Sequence, residues 1–428
     1  MARRNMRQCS SATLERHRTV IPNSETSINS ATKPHLLLGG WYKPGTGFTR
    51  VLLSLLPFLR QHFRITWLGV GYRGEPRELC DGVHLLPTNV RGGDMVGAYY
   101  ARLHWEELAP DLVFALNDLW YLVHYSRELA DLVDTSVPML GYLPLDGGLG
   151  DPLMVRELIG FHQLITYTNW AAGQLRPALN EMGLPAVVSV AGHGVELSQF
   201  HMLPGGVDRS VRMERAQHLF RLDQPAFVVL NASRPDPRKR LDLTLEAFAR
   251  FAAGKPDNVH LCLHQAISHE DYVAPLRAQA DNLGVSDRLI WFPRTPGPLD
   301  DAGLNLLYNA CTVGLNTAMG EGFGLVSFEH AATGAPQVLP AHPAMCEIWK
   351  GHAELVLPVR PIHTEHSPLL MGEVDAATVA VALQRLYSDS QHYRQFAQAA
   401  LARCEMDDLQ WSVPAGHLVD ALSAALRT

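Results

Sequence analysis

Two carboxylates eight residues apart, Glu321 and Glu329, lie in NTAMGEGFGLVSFEHAATGAPQVLP. A Gly-x-Gly turn follows the first, and a helix-like run carries the second. Apolar residues precede the motif (ACTVGLN) and follow it (PQVLP), so the order reads strand, loop, helix, strand. A junction of this kind turns free backbone N–H groups toward an anion. The local chemistry is then a phosphate cradle flanked by two groups that accept hydroxyl hydrogens, with the sugar on one side and the ribose on the other. A second block, NASRPDPRKRLDLTLEAF, follows the strand-like AFVVLN. It offers Arg234, a planar fork for phosphate oxygens, and Lys239, a compact point charge. The helix after it places Leu241, Leu245, Phe248 and Ala252 at helical spacing, which predicts a buried face.

These two blocks resemble the E-x7-E signature and the Arg/Lys pair of retaining glycosyltransferases of the GT-B fold, specifically glycosyltransferase family 4. HGVELSQF (His193 to Phe200) is similar to the segment near that family's interdomain hinge. The resemblance implies two tandem Rossmann-like, doubly wound parallel-sheet domains facing a cleft. It implies a nucleotide diphosphate sugar donor, UDP- or GDP-linked, and metal-independent front-face transfer with retention to an acceptor hydroxyl. Arg234 and Lys239 would neutralise the diphosphate. Glu321 would accept from the transferred sugar near the backbone of Gly322, Phe323, Gly324 and Leu325, and Glu329 from the ribose. Ser233 stands where many members have Gly. The loop Gly39-Gly40-Trp-Tyr-Lys-Pro-Gly45-Thr-Gly47 resembles the glycine-rich loop that approaches donor phosphates, which makes Gly40, Gly45 and Gly47 donor-side candidates. It lacks the third glycine of a dinucleotide fingerprint.

Where many members place a His in the loop after VPMLGY, this chain has Leu143-Pro144-Leu145-Asp146-Gly147-Gly148. Asp146 is therefore a candidate for the acceptor or sugar, and equally a turn-forming Asp-Gly. Asn117-Asp118, ending another strand, has the same two readings. The base-reading loop is expected near Arg294 and Thr295, and His264-Gln265, ending another strand, read equally as further lining and as structural residues. His193 and Glu196 are expected to be structural. No Asp-x-Asp loop is present, and no metal or cofactor is expected. A catalytically vestigial sugar-nucleotide-binding protein and a Rossmann-type oxidoreductase stand as alternatives.

The elements that must position these residues follow from length and rhythm. At 428 residues the chain exceeds one ordinary core. Strand candidates at 35–40, 63–70, 111–118, 137–144, 164–169 and 186–192 alternate with helix-length segments. A second series runs at 226–231, 260–265, 288–293, 310–316, 336–340 and 354–359. This predicts parallel sheets with crossover helices. The expected division is a disordered tail over 1–33, an acceptor-binding domain over 34–205 and a nucleotide-sugar domain over 206–405. A terminal helix over 406–428 would cross back to the first domain, with Trp411 as its candidate anchor.

A net charge of −7 gives no pull toward nucleic acid. The six cysteines form no Cys-x-x-Cys pair, which suits a reducing, cytoplasmic setting. No apolar run reaches membrane-spanning length. The first helix carries Arg50 and Arg60 but is otherwise apolar, so it reads as core and leaves peripheral membrane contact open. The acceptor is expected to be a small molecule or glycan. The sequence leaves the oligomeric state open.

Overall fold

In the computed structural model the described residues are 33–88, 92–264, 270–293, 299–364 and 367–427. Arg294, Thr295 and Gln265 lie outside them, as does all but the last residue of the 1–33 segment.

The first sheet has eight strands: β1 (His35–Trp41), β2 (Arg64–Val70), β3 (Arg77–Cys80), β4 (Val83–Pro87), β5 (Leu112–Leu116), β6 (Met139–Leu143), β7 (Phe161–Thr166) and β8 (Val187–Val190). Their order is β3-β4-β2-β1-β5-β6-β7-β8. All neighbours pair in parallel except β3 and β4. The second sheet is entirely parallel: β9 (Phe227–Asn231), β10 (Val259–His264), β11 (Leu289–Phe292), β12 (Val313–Leu315), β13 (Gln337–Pro340) and β14 (Glu354–Val356), in the order β11-β10-β9-β12-β13-β14. Central strands such as LVFAL and FVVLN are buried along their whole length, because helices cover both faces of a parallel sheet.

Strand order fixes where ligands can sit. The first sheet reverses direction between β1 and β5, and the second between β9 and β12. At such a switch point the loops leaving the carboxyl ends of the two strands part and open a crevice. In the second sheet those loops carry Arg234 to Lys239 and Glu321. In the first they carry the glycine-rich segment and Asn117-Asp118.

The helix after β9, Leu241–Ala252, buries Leu241, Leu245, Phe248 and Ala252 as their spacing predicts. The strand expected from residue 310 is shorter: Ala310 ends the preceding helix and β12 spans Val313–Leu315. The terminal segment begins as a short 3-10 turn, Asp407–Leu409, and becomes helical at Ser412–Ala425. That helix packs on Gly47–His62 of the first half. Trp411 is buried at its start, against the Gly194 backbone and beside the His193 ring. The connection near 203–213 is tied to the second half by the fully buried Arg212, which donates to the carbonyls of Gly206, Cys311 and Thr333 at 2.7–2.9 Å.

A hairpin absent from the sequence reading, β15 (Arg360–Thr364) and β16 (Ser367–Glu373), interrupts the passage from β14 to the next helix. It reaches across to the first half. Leu370 and Gly148 exchange two backbone hydrogen bonds, 2.8 and 2.9 Å. Leu369 and Met371 are buried in the same apolar cluster as Leu143, Leu145 and Val155. A side chain at Gly147 would meet the Leu370 carbonyl at 2.5 Å, so the close approach requires glycine.

Candidate functional site

Glu321 lies in the loop after β12, and Glu329 on the helix Leu325–Ala331. Lys239 Nζ donates to Glu321 Oε2 at 2.5 Å. Burial alone would raise the Glu321 carboxyl. Lys239 and Arg238 outweigh it and hold that carboxyl well below the usual carboxylate range. Burial and the neighbouring Arg238 in turn make the Lys239 ammonium easier to deprotonate.

Arg238, not among the candidates named from the sequence, is the link to the first half. Its guanidinium donates to the Gly320 carbonyl and pairs with Asp146 Oδ2 at 3.1 Å. The other oxygen, Asp146 Oδ1, accepts from the Gly322 N–H at 2.8 Å. Asp146 is thus a strut between the loop after β6 and the Glu321 loop. The signal for Arg238 was its place beside Lys239 in Arg-Lys-Arg; its partner was not readable, because Asp146 is 92 positions away.

Arg234 differs from its neighbours. Its side chain is 62% exposed and its one close carboxylate, Asp236, is 3.7 Å away. It projects from the loop after β9 with that one loose ion pair and no hydrogen bond from its guanidinium among the described residues, whereas the Lys239 side chain is 11% exposed and hydrogen-bonded to Glu321.

Glu329 is almost fully buried. Arg50 Nε lies 3.2 Å from its Oε1, and Tyr308 OH donates to its Oε2 at 3.0 Å. Burial raises its carboxyl despite Arg50. Arg50 also pairs with Asp301 at 2.8 Å, so a residue read as belonging to a core helix spans the two halves. Gly47, at the start of that helix, lies within contact range of Leu325. The glycine-rich loop and the E-x7-E segment therefore meet. Gly45 has φ +81° and Gly324 has φ +82°, conformations that favour glycine. Gly40 sits against Leu52, where an added side chain would clash at 2.5 Å. Phe323 turns away from the loop into an aromatic cluster with His193, Tyr167 and Phe328. Burial lowers the His193 imidazole to about 3, so it is neutral, and it faces the Tyr142 hydroxyl at 3.0 Å. Glu196 caps a local turn through Ser198. His264 is buried with Nδ1 2.9 Å from the Phe292 carbonyl.

On the first half's side, Asn117 Oδ1 accepts from Trp41 Nε1 at 3.3 Å. The Nδ2 of the same side chain is buried without a hydrogen-bond partner among the described residues, as are the hydroxyls of Thr166 and Tyr167. Asp118 follows. Burial first, and then the charge of Asp146, push its carboxyl up to about 7, against opposing pulls from Arg238 and Arg234. The structure thus brings together Lys239, Glu321, Asp146 and Asp118, with Arg234 at the rim. It sets Glu329 in a separate interdomain contact. Among the described residues, no helix is long and apolar enough to cross a membrane.

A family model described as glycosyl transferases group 1 matches residues 213–403. The D-inositol 3-phosphate glycosyltransferase of Salinispora arenicola is 28% identical over 283 residues, covering 65% of this chain and 57% of that protein. The protein of that name from Mycobacterium sp. (strain KMS) is 33% identical over 254 residues, 58% of this chain and 51% of the relative. The chain thus spans about half the length of these curated relatives. Among solved structures, Anabaena HepE in complex with UDP and glucose matches with a TM-score of 0.67 at 19% identity, over 92% of this chain and all of that one. Sucrose-phosphate synthase from Thermosynechococcus elongatus matches with a TM-score of 0.69 at 16% identity over the same share. At these identities the structural likeness speaks for the fold, two Rossmann-like domains. Residues 213–403 thus form a glycosyl transferases group 1 domain, and the chain has the GT-B fold.

Proposed function

We propose that this protein is a retaining glycosyltransferase that moves a sugar from a nucleoside diphosphate sugar to an acceptor hydroxyl without a metal ion. The observation that carries the reading is the largely buried Lys239–Glu321 pair beside Arg238 at the second sheet's switch point, with the exposed guanidinium of Arg234 at its rim. Anabaena HepE, of the same fold, was solved with UDP and with UDP-glucose, which favours a uridine donor.

In this reading Arg234 and Lys239 bind the diphosphate. Negative charge builds there as the bond from the anomeric carbon to the phosphate oxygen breaks, and fixed cations help most where charge develops. The acceptor oxygen attacks the anomeric carbon from the face the diphosphate is leaving, and its proton passes to the departing phosphate oxygen. Glu321, kept anionic, accepts hydrogen bonds from the sugar hydroxyls and orients the ring. Glu329 takes the ribose hydroxyls in exchange for Arg50 and Tyr308. The first half supplies the acceptor.

The test is a thermal-shift panel of UDP, GDP, ADP and dTDP on wild type and Arg234→Ala. A nucleotide that binds the folded state raises Tm with its occupancy. One nucleotide should shift wild type and shift the variant far less. No shift with any of the four overturns the donor site.

A further inference from the structure

We propose that Asn117, Asp118 and Tyr167 form an acceptor seat for a hydroxyl-bearing molecule that carries no phosphate. This rests on the glycosyl-transfer reading and adds the acceptor's chemical class. The residues stand just past the carboxyl ends of β5 and β7, and Asp146 follows β6 between them, so three adjacent strands deliver their loops to one wall of the cleft.

Three observations converge. First, Asn117 Nδ2 and the Tyr167 hydroxyl are buried polar atoms without partners among the described residues, and both residues are less than a tenth exposed. Buried polar groups are nearly always satisfied, so an orphaned donor at a strand's carboxyl end points to a ligand. Tyr167 lies in the field of Asp118 and Asp146, which places its ring at the same wall. An amide donor, a phenol that donates or accepts and a carboxyl are the groups that match hydroxyls.

Second, the wall has no cation of its own. The segments 117–121, 144–151 and 167–170 contain neither Lys nor Arg. The charges facing Asp118 are Asp146 and Asp236 on the acidic side and Arg238 and Arg234 on the basic side. Arg238 is committed to Asp146 and the Gly320 carbonyl, and Arg234 is the group assigned to the donor. A second phosphate at this wall would meet two carboxyls and no cation belonging to the wall itself. Third, Asp118 is held partly protonated near neutrality by burial and by Asp146, so it can donate to one hydroxyl or accept from another. The glycine-rich loop itself carries one cation, the exposed Lys43. The relatives named for inositol 3-phosphate would then differ from this chain at the acceptor.

The test uses the full chain with UDP-glucose and follows UDP release with myo-inositol, glucose, inositol 3-phosphate or glucose 6-phosphate, above release in water alone. The free polyols should accelerate release, and each phosphorylated partner should do so at least tenfold less well. Asp118→Asn and Tyr167→Phe, both nearly isosteric, should each raise the acceptor KM about tenfold while the UDP-induced Tm shift remains, which also shows that they fold. Lys43→Ala should leave the preference between polyol and phosphate unchanged. A phosphorylated acceptor that is preferred, or free polyols that add nothing beyond water, overturns the proposal while UDP binding keeps the donor reading intact. Loss of UDP binding in wild type overturns the donor reading itself.

Discussion

The two walls of the cleft solve the problem of buried polarity in opposite ways. On the second half's wall the charges close on protein partners: Lys239 on Glu321, and Arg238 on Asp146 and a carbonyl. On the first half's wall, Asn117 Nδ2 and the Tyr167 hydroxyl have no partner among the described residues, and Asp118 is held partly neutral. A paired wall is set before ligand arrives, which suits a diphosphate that always arrives as an anion and gains charge in place. An unpaired wall keeps its hydrogen-bonding capacity for the substrate. Glu321 and Glu329 show the same contrast within one motif: one carboxyl, mostly buried, is driven down by two cations, and the other, almost fully buried, is driven up by burial.

The most direct way to break this comparison is to unpair the first-described wall. Glu321→Gln removes the anion that compensates Lys239. Transfer should fall by roughly 10²-fold or more, the size expected when one preorganised polar group is lost. A steady-state kcat within threefold of wild type would show that Glu321 does not face the reacting sugar.

Acidity separates the walls next. The folded-state carboxyl of Asp118 titrates at about 7, against about 3.9 in an unfolded chain. The stability linked to it is complete below that unfolded value and is lost as pH climbs through about 7. Glu321 has the opposite sign: its contribution is present above about 4.3 and is lost as pH falls below that. Asp118→Asn should therefore flatten the decline of Tm between pH 4 and pH 7 without touching the loss at lower pH. An unchanged Tm profile would show that Asp118 is solvated.

The smallest effect sharpens the contrast using two tyrosines. The Tyr142 hydroxyl lies 2.8–3.0 Å from the carbonyls of Ala191 and Gly192 and from His193 Nδ1. The Tyr167 hydroxyl has no such partner among the described residues. Deleting a satisfied hydroxyl costs about 1 kcal/mol, while deleting an unsatisfied one costs little or is stabilising. In urea unfolding without ligand, Tyr142→Phe should lower stability by about that amount and Tyr167→Phe should not. Equal losses would mean that Tyr167 has a partner after all.

What could be read in advance depended on whether it was local. Strand, turn and helix around Glu321 and Glu329 are contiguous, and their apolar periodicity carried them; the same holds for Arg234, Lys239 and the helix that follows. Arg238, Arg50 and Tyr167 escaped because their meaning lies in distant partners. Arg50 sits on an apolar helix and meets Glu329 only in three dimensions. Tyr167 is simply the residue after a strand. The hairpin at 360–373 was hidden because RPIHT and SPLLMGE each carry a proline and lack clean alternation. The β3–β4 edge pair is short, and β3 (RELC) is mostly polar and exposed.

The hairpin also bears on how the molecule can be made. Leu369 and Met371 complete an apolar cluster in which, Met319 apart, the other buried members, Leu143, Leu145 and Val155 among them, belong to the first half. A ribosome delivers the first half long before those two side chains exist. Domains generally fold as units during synthesis, yet here the earlier unit must wait with part of its core uncovered until the chain has passed residue 371. Truncation before the hairpin should therefore yield a first half prone to association rather than a free-standing domain.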